Sequence, residues 1–124
     1  MTVYEVLIEY VFQASHAVCM PAGGLMEDMH SHEWRLKAAF GADKLDENGF
    51  AIEFSQAQSL IRDTLSPLEG KVLNNIPVFE GEIPTTEILS RYIYRNLKKR
   101  LQSDLKINYI ELTEAPGCTV IYKE

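Results

Sequence analysis

The stretch HSHEWRLKAAF, His30 to Phe40, alternates without a break. His30, His32, Trp34, Leu36, Ala38 and Phe40 share one face, and Ser31, Glu33, Arg35 and Lys37 share the other. A period of two is that of a β-strand, whose successive side chains point to opposite sides of a sheet. Large apolar residues on one side and charges on the other give a strand with one buried and one wet face, as in an antiparallel sheet. Upstream, residues 3–18 repeat the pattern. Tyr4, Val6, Ile8, Tyr10, Phe12, Ala14 and His16 fall on one face, and Glu5, Glu9, Gln13 and Ser15 on the other. Between the two, residues 19–29 carry Pro21 and the pair Gly23-Gly24, which predict a loop.

Downstream, Asp46 to Gly49 (DENG) predicts a turn. The S-x-x-Q capping box Ser55 to Gln58 starts a helix over 55–65 that Pro67 ends. Residues 66–83 read as loop. Pro84-Thr85-Thr86-Glu87 supplies a threonine cap and an acid in the first turn of a second helix. Ile88, Leu89, Tyr92, Ile93, Leu97 and Leu101 carry this helix at helical spacing to about residue 102. Its basic end, Arg95 to Arg100, complements the helix dipole and reads as a solvated face. Strands at 107–114 and 118–123 close the chain around a Pro116-Gly117 turn. The order is ββααββ, an α+β class: one domain over 1–124, a four-stranded antiparallel sheet with two helices on one face. Both sheet edges are then open, which favours self-association.

Composition narrows the function. The 124 residues are 46% hydrophobic and 24% charged, ordinary for a globular chain. A net charge of −6 argues against binding nucleic acid by phosphate neutralisation. No apolar run reaches membrane-spanning length, and the amino-terminal residues do not read as a targeting segment, so a cytoplasmic protein is expected. Two cysteines, Cys19 and Cys118, are too few for a disulfide scaffold, and reduced thiols fit that compartment. Cys118 reads as a small buried residue.

All three histidines lie between positions 16 and 32. His30 and His32, two apart on a strand, face the same side. If the first two strands pair as a hairpin, His16 comes beside them. Three imidazoles with an open fourth position make the arrangement of catalytic zinc, though nickel, copper or iron also suit such a set. The alternative is that H-x-H recurs by chance and the rings are partly buried polar side chains.

F-x-A-x-H at Phe12 to His16 and H-x-H at His30 to His32 resemble the zinc motifs of the 6-pyruvoyl-tetrahydropterin synthase family, which includes the 6-carboxy-tetrahydropterin synthases. Gly49 to Phe54 is similar to the family's G-x-x-x-D-F, Leu73-Asn74 to the end of its L-D-H-x-x-L-N, Pro84 to Glu87 to its P-T-x-E, and Glu114 to the glutamate of its E-T pair. The resemblance implies the tunnelling fold, with sheets joined into a barrel by oligomerisation and two trimers stacked as a hexamer. It implies Zn2+ on His16, His30 and His32, and a reduced pterin held by Glu114, with Thr85, Thr86 and Glu87 in the same pocket. A carboxylate suits that task, since it accepts two hydrogen bonds from the pterin 2-amino group and the adjacent ring N–H.

The chain departs from the family where acid–base chemistry resides. The family's cysteine base falls on Met26, its Asp-His pair on Glu69-Gly70, its E-T threonine on Ala115, and the glycine of H-G-H on Ser31. Three readings follow. Glu27 or Asp28, beside the cysteine position, serves an aldolase-like cleavage of the dihydroneopterin side chain, as in relatives that carry a glutamate there. Cys19 supplies the base from the other side of the site. Or the protein binds zinc and a pterin or purine-like ligand without turnover.

Overall fold

The computed structural model describes every residue except 1, 20–23 and 25. Strands β1 (Tyr4–His16) and β2 (His30–Ala42) pair antiparallel in unbroken register from Tyr4↔Ala42 to His16↔His30. Helices α1 (Phe54–Leu65) and α2 (Thr86–Arg100) follow, then β3 (Lys106–Ala115) and β4 (Cys118–Tyr122). The sheet order is β1-β2-β3-β4, so every strand lies beside its sequence neighbour. This is the ββααββ arrangement expected, with two short 3-10 turns, Leu73–Asn75 and Pro77–Phe79, inside the long connection. The loop expected over 19–29 lies partly outside the described residues.

The alternating strand faces explain the core. Ile8, Phe12 and Ala14 of β1 and Trp34, Leu36, Ala38 and Phe40 of β2 are buried against Ala57, Ile61 and Leu65 of α1 and Leu89, Ile93 and Leu97 of α2. The opposite face carries Glu9, Lys37 and Glu111 as a cross-strand charge ladder. In β3 the core pattern survives an irregularity: Ala39 pairs with Tyr109 but Phe40 with Ile107, which leaves Asn108 as an extra residue. That bulge lets Ile107 and Ile110, three apart, both face the helices. Its Asn108 side chain lies over Gly41, where a Cβ would come within 2.7 Å of the amide nitrogen. A second register shift, between Thr113 and Ala115, falls at Glu114.

Only part of β1 is an open edge. Gly70 N–H donates to Gln13 O (2.7 Å), and Ser15 N–H to Lys71 O (2.9 Å), with Ser15 and Val72 in a parallel bridge. The Glu69 carboxylate accepts the Gln13 N–H at 2.7 Å. Residues 69–72 thus act as a short fifth partner beside the end of β1. Cys19 and Cys118 are both free, and Cys118 is exposed, not buried: it opens β4, a short strand at the sheet edge just after the turn. No helix among the described residues is long and apolar enough to cross a membrane.

The cap of α1 differs from the Ser55 capping box. Glu53 is the N-cap, its carboxylate accepting the N–H groups of Ser55 and Gln56 (both 3.1 Å) and the Ser55 hydroxyl. A charged acceptor facing the positive end of the helix dipole outcompetes the serine oxygen. The Ser55 hydroxyl, and behind it the Ser55 amide, hold the Glu53 carboxyl below the usual carboxylate range. Its contribution is therefore complete above the unfolded-state pKa and is lost as pH falls through the lower folded value. Glu53→Ala should lower the thermal midpoint at neutral pH, and the gap to wild type should close on acidification. A gap that circular dichroism finds independent of pH would show that the carboxylate charge plays no part.

Candidate metal centre

The hairpin register places the histidines. His16 pairs directly with His30, and His32 with Ala14 two residues back along β1. All three therefore point to the helix-covered side at the end of the sheet, with ring centroids 4.5–5.1 Å apart. One nitrogen from each lies within 4.8 Å of the others. His16 is 1% exposed, His32 21% and His30 34%, so the cluster is buried at His16 and opens toward solvent at His30. Trp34, two residues past His32 on the same face, forms the floor. It presents its ring edge-on to His16 (5.1 Å) and His32 (5.4 Å) and donates its indole N–H to Ala14 O at 3.1 Å.

Backbone carbonyls set two of the tautomers. His16 Nδ1 is 2.9 Å from Pro84 O, and His30 Nδ1 is 2.9 Å from Asp28 O. A carbonyl only accepts, so each Nδ1 carries the proton and each Nε2 presents a lone pair. His16 Nε2 and His32 Nε2 are buried without a hydrogen-bond partner. Buried nitrogens are seldom left so, and two of them aimed into one space are what a cation would satisfy. Burial lowers the His32 pKa, assisted by the other two imidazoles and opposed by Glu114 and Glu27, which keeps that ring in the neutral, ligating form. The residues present fit a divalent metal ion.

Two carboxylates flank the cluster. Glu114 Oε1 lies 3.1 Å from His16 Nε2 and 3.8 Å from His32 Nε2, and accepts the Thr86 hydroxyl at 3.1 Å. On the other side Glu27 Oε1 lies 3.5 Å from His30 Nε2 and accepts the Val18 N–H at 3.1 Å. Of the two acids at the loop end, Glu27 thus brings its carboxylate to the cluster. Asp28 is exposed and contributes its backbone carbonyl.

The remaining sequence candidates separate. Thr86 reaches Glu114. Thr85 is committed to capping α2, accepting the Ile88 N–H at 3.2 Å, and Glu87 is exposed in the first turn. Cys19 is exposed and turned to Met26, Sγ to Sδ 3.4 Å, in an antiparallel bridge, and does not join the three histidines in their cluster of ligand atoms. Glu69 is spent on the β1 backbone. Gly70 has φ of +71°, a conformation that a histidine adopts only with strain. Sequence reasoning missed Trp34 and Asn74 as parts of the site. Trp34 was legible, being in phase with both histidines. Asn74 was visible only as the end of a family-like motif, and its task was not: its side chain brackets Ala17, accepting its N–H and donating to its carbonyl, both at 2.9 Å, across 57 residues of chain.

Comparison with known proteins bears on this geometry. A family model, 6-pyruvoyl tetrahydropterin synthase, matches residues 5–124. The chain is 23% identical over 123 residues to a 6-carboxy-5,6,7,8-tetrahydropterin synthase of Bacillus subtilis, covering 96% of this chain and 77% of that protein. It is 25% identical over 103 residues to a dihydroneopterin monophosphate aldolase of Pyrococcus furiosus, covering 83% and 82%. Among solved structures it resembles a Plasmodium vivax 6-pyruvoyltetrahydropterin synthase in which a catalytic glutamate is replaced by alanine. The TM-score is 0.77 at 15% identity, covering 98% of this chain and 97% of that one.

Asn74 holds the strand end that carries His16. Asn74→Ala leaves the N–H and carbonyl of Ala17, a buried residue, without partners, at a cost of about 1–3 kcal/mol. Urea unfolding of the variant should show a lower midpoint with an unchanged slope.

Proposed function

The chain belongs to the 6-pyruvoyl tetrahydropterin synthase family, and from that premise we propose that it is a zinc-dependent lyase. Its reaction is aldolase-like cleavage of the side chain of dihydroneopterin or one of its phosphates, releasing 6-hydroxymethyl-dihydropterin. The observation that carries this reading is the Glu27 carboxylate, 3.5 Å from His30 Nε2 at the rim of the histidine cluster. It stands one residue from Met26, where the family's cysteine base is missing. The Pyrococcus aldolase among the relatives supports the cleavage, and the Plasmodium synthase gives an instance of a catalytic glutamate on this fold.

His16, His30 and His32 would hold the zinc, which as a Lewis acid supplies acidification of the side-chain hydroxyls. Glu27 takes the proton of the hydroxyl on the second side-chain carbon. The bond between the first and second side-chain carbons breaks, and its electron pair passes into the ring imine. The second carbon leaves as an aldehyde, glycolaldehyde or its phosphate. Returned to the first carbon, the proton completes the hydroxymethyl group, so one carboxylate serves both transfers. Glu114, oriented by the Thr86 hydroxyl, accepts the pterin 2-amino group and ring N–H. The family's second acid–base pair has no counterpart, because Glu69 is held by the Gln13 amide and Gly70 has no side chain.

The open edge of β1 from Tyr4 to Phe12 and the edge strand β4 support the further reading that copies join edge to edge into a barrel, as a hexamer of two trimers.

Zinc-loaded protein incubated without oxygen with dihydroneopterin, its monophosphate and its triphosphate should yield 6-hydroxymethyl-dihydropterin, identified by mass. Glu27→Gln should lower the rate by about 10²–10⁴-fold, and Asp28→Asn should leave it nearly unchanged. A 6-pyruvoyl or 6-carboxy product would overturn the cleavage reading. Pterins that bind and return unchanged would mark a protein that kept recognition and lost turnover.

A further inference from the structure

The Glu27 carboxylate owes its position to the peptide that joins Ala17 to Val18. The β1–β2 ladder pairs His16 with His30, but beyond that pair Cys19 bridges Met26, and Val18 O accepts the Glu27 N–H at 2.9 Å. Ala17 and Val18 on one side thus stand against Glu27, Asp28 and Met29 on the other. The extra residue reverses the alternation of side chains on its own side of the ladder. Met26 accordingly turns to Cys19, and Glu27 turns to His30. The Val18 N–H then fixes where that side chain comes to rest, by donating to Glu27 Oε1 at 3.1 Å.

The same peptide is held from behind. Its carbonyl, Ala17 O, accepts an Asn74 side-chain N–H at 2.9 Å, and the Ala17 N–H donates to Asn74 Oδ1 at 2.9 Å. A backbone N–H only donates and a carbonyl only accepts, so this pair of bonds settles which way the Asn74 amide points. Asn74 Nδ2, the Ala17–Val18 peptide and Glu27 Oε1 therefore form one chain, donor to acceptor throughout, in which each hydrogen bond polarises the next. Ala17 is buried and Asn74 half-buried, so water is a poor substitute for the clamp. Without it the peptide can turn, and the Val18 N–H turns with it.

We infer that Asn74 is a positioning residue for Glu27: acting through the Ala17–Val18 peptide, it holds the carboxylate at the rim of the histidine cluster. This rests on the role proposed above for Glu27 as the base. Asn74 thereby joins a task in catalysis to its support of β1.

Asn74→Ala removes both bonds to Ala17. Asn74→Asp, nearly isosteric, keeps the acceptor for the Ala17 N–H and loses only the donor to the carbonyl. With zinc-loaded protein, and dihydroneopterin and its phosphates as substrates, each variant should lower kcat by about 10–10²-fold with KM little changed. In a Glu27→Gln background the same changes should cost nothing further, because no base remains to be displaced. A second readout needs neither metal nor turnover. Crystal structures of the pterin-free Asn74→Ala and Asn74→Asp proteins should show the Glu27 carboxylate released from the Val18 N–H. An unchanged kcat, or an equal loss with and without the Glu27 carboxylate, would overturn the inference and leave Asn74 a support of the fold alone. So would a Glu27 still bonded to Val18 in both variants. If the wild-type protein cleaves none of these pterins, the proposed function fails, and the crystal structures by themselves decide whether Asn74 places Glu27.

Discussion

The antiparallel pairing of β1 with β2 is the constraint on which the rest depends. Its register runs from Tyr4↔Ala42 to His16↔His30 without a bulge. Because side chains alternate with a period of two, a slip of one residue would turn the whole apolar set of β1 to the wrong face. It would also carry His16 away from His30 and His32. The residues that bury the sheet, Phe12, Trp34, Leu36 and Phe40, therefore hold the imidazoles together as well. Folding energy and site geometry share one ladder.

The surroundings of the cluster use the same economy. Pro84, just before the Thr85 cap of α2, turns its carbonyl to His16 Nδ1, and Thr86, the first residue of α2, reaches Glu114. The start of one helix thereby orients a histidine and a carboxylate together. At the other side, the backbone of the loop end orients His30 through Asp28 O while Val18 N–H holds Glu27. Residues 69–74 fasten the end of β1, by backbone pairing at Gln13 and Ser15 and by the Asn74 amide at Ala17. Glu69 and Gly70, which the resemblance aligns with the family's Asp-His pair, serve here to support β1.

The two flanking carboxylates are almost equally exposed, at 29% and 30%, and differ in the imidazole each one faces. Glu27 lies at the solvent-facing side, beside the imidazole that is most exposed, where a substrate hydroxyl can arrive and a proton can leave. Glu114 faces His16, the most buried of the three rings, and His32 beside it.

Strand periodicity, helix starts and the order ββααββ were legible in the amino-acid sequence, because each depends on residues a few positions apart. His30 and His32 on one face follow from i, i+2 spacing alone, and His16 follows once the hairpin is granted. The N-cap of α1 was misplaced by two residues, since Ser55 and Glu53 are both competent acceptors and only the backbone path decides between them. Cys118 was misjudged because exposure depends on lying at a sheet edge and not on residue type. The choice of Glu27 over Asp28, the commitment of Glu69 to the strand, the clamp of Asn74 on Ala17 and the approach of Glu114 to His16 belong to the tertiary structure. Each joins groups on separate elements, or aims a side chain by a loop path or a bulge, and no local pattern encodes such a distance. Composition and spacing determined which chemical groups this protein has. The packing of helix starts, loop and sheet determined which of them meet.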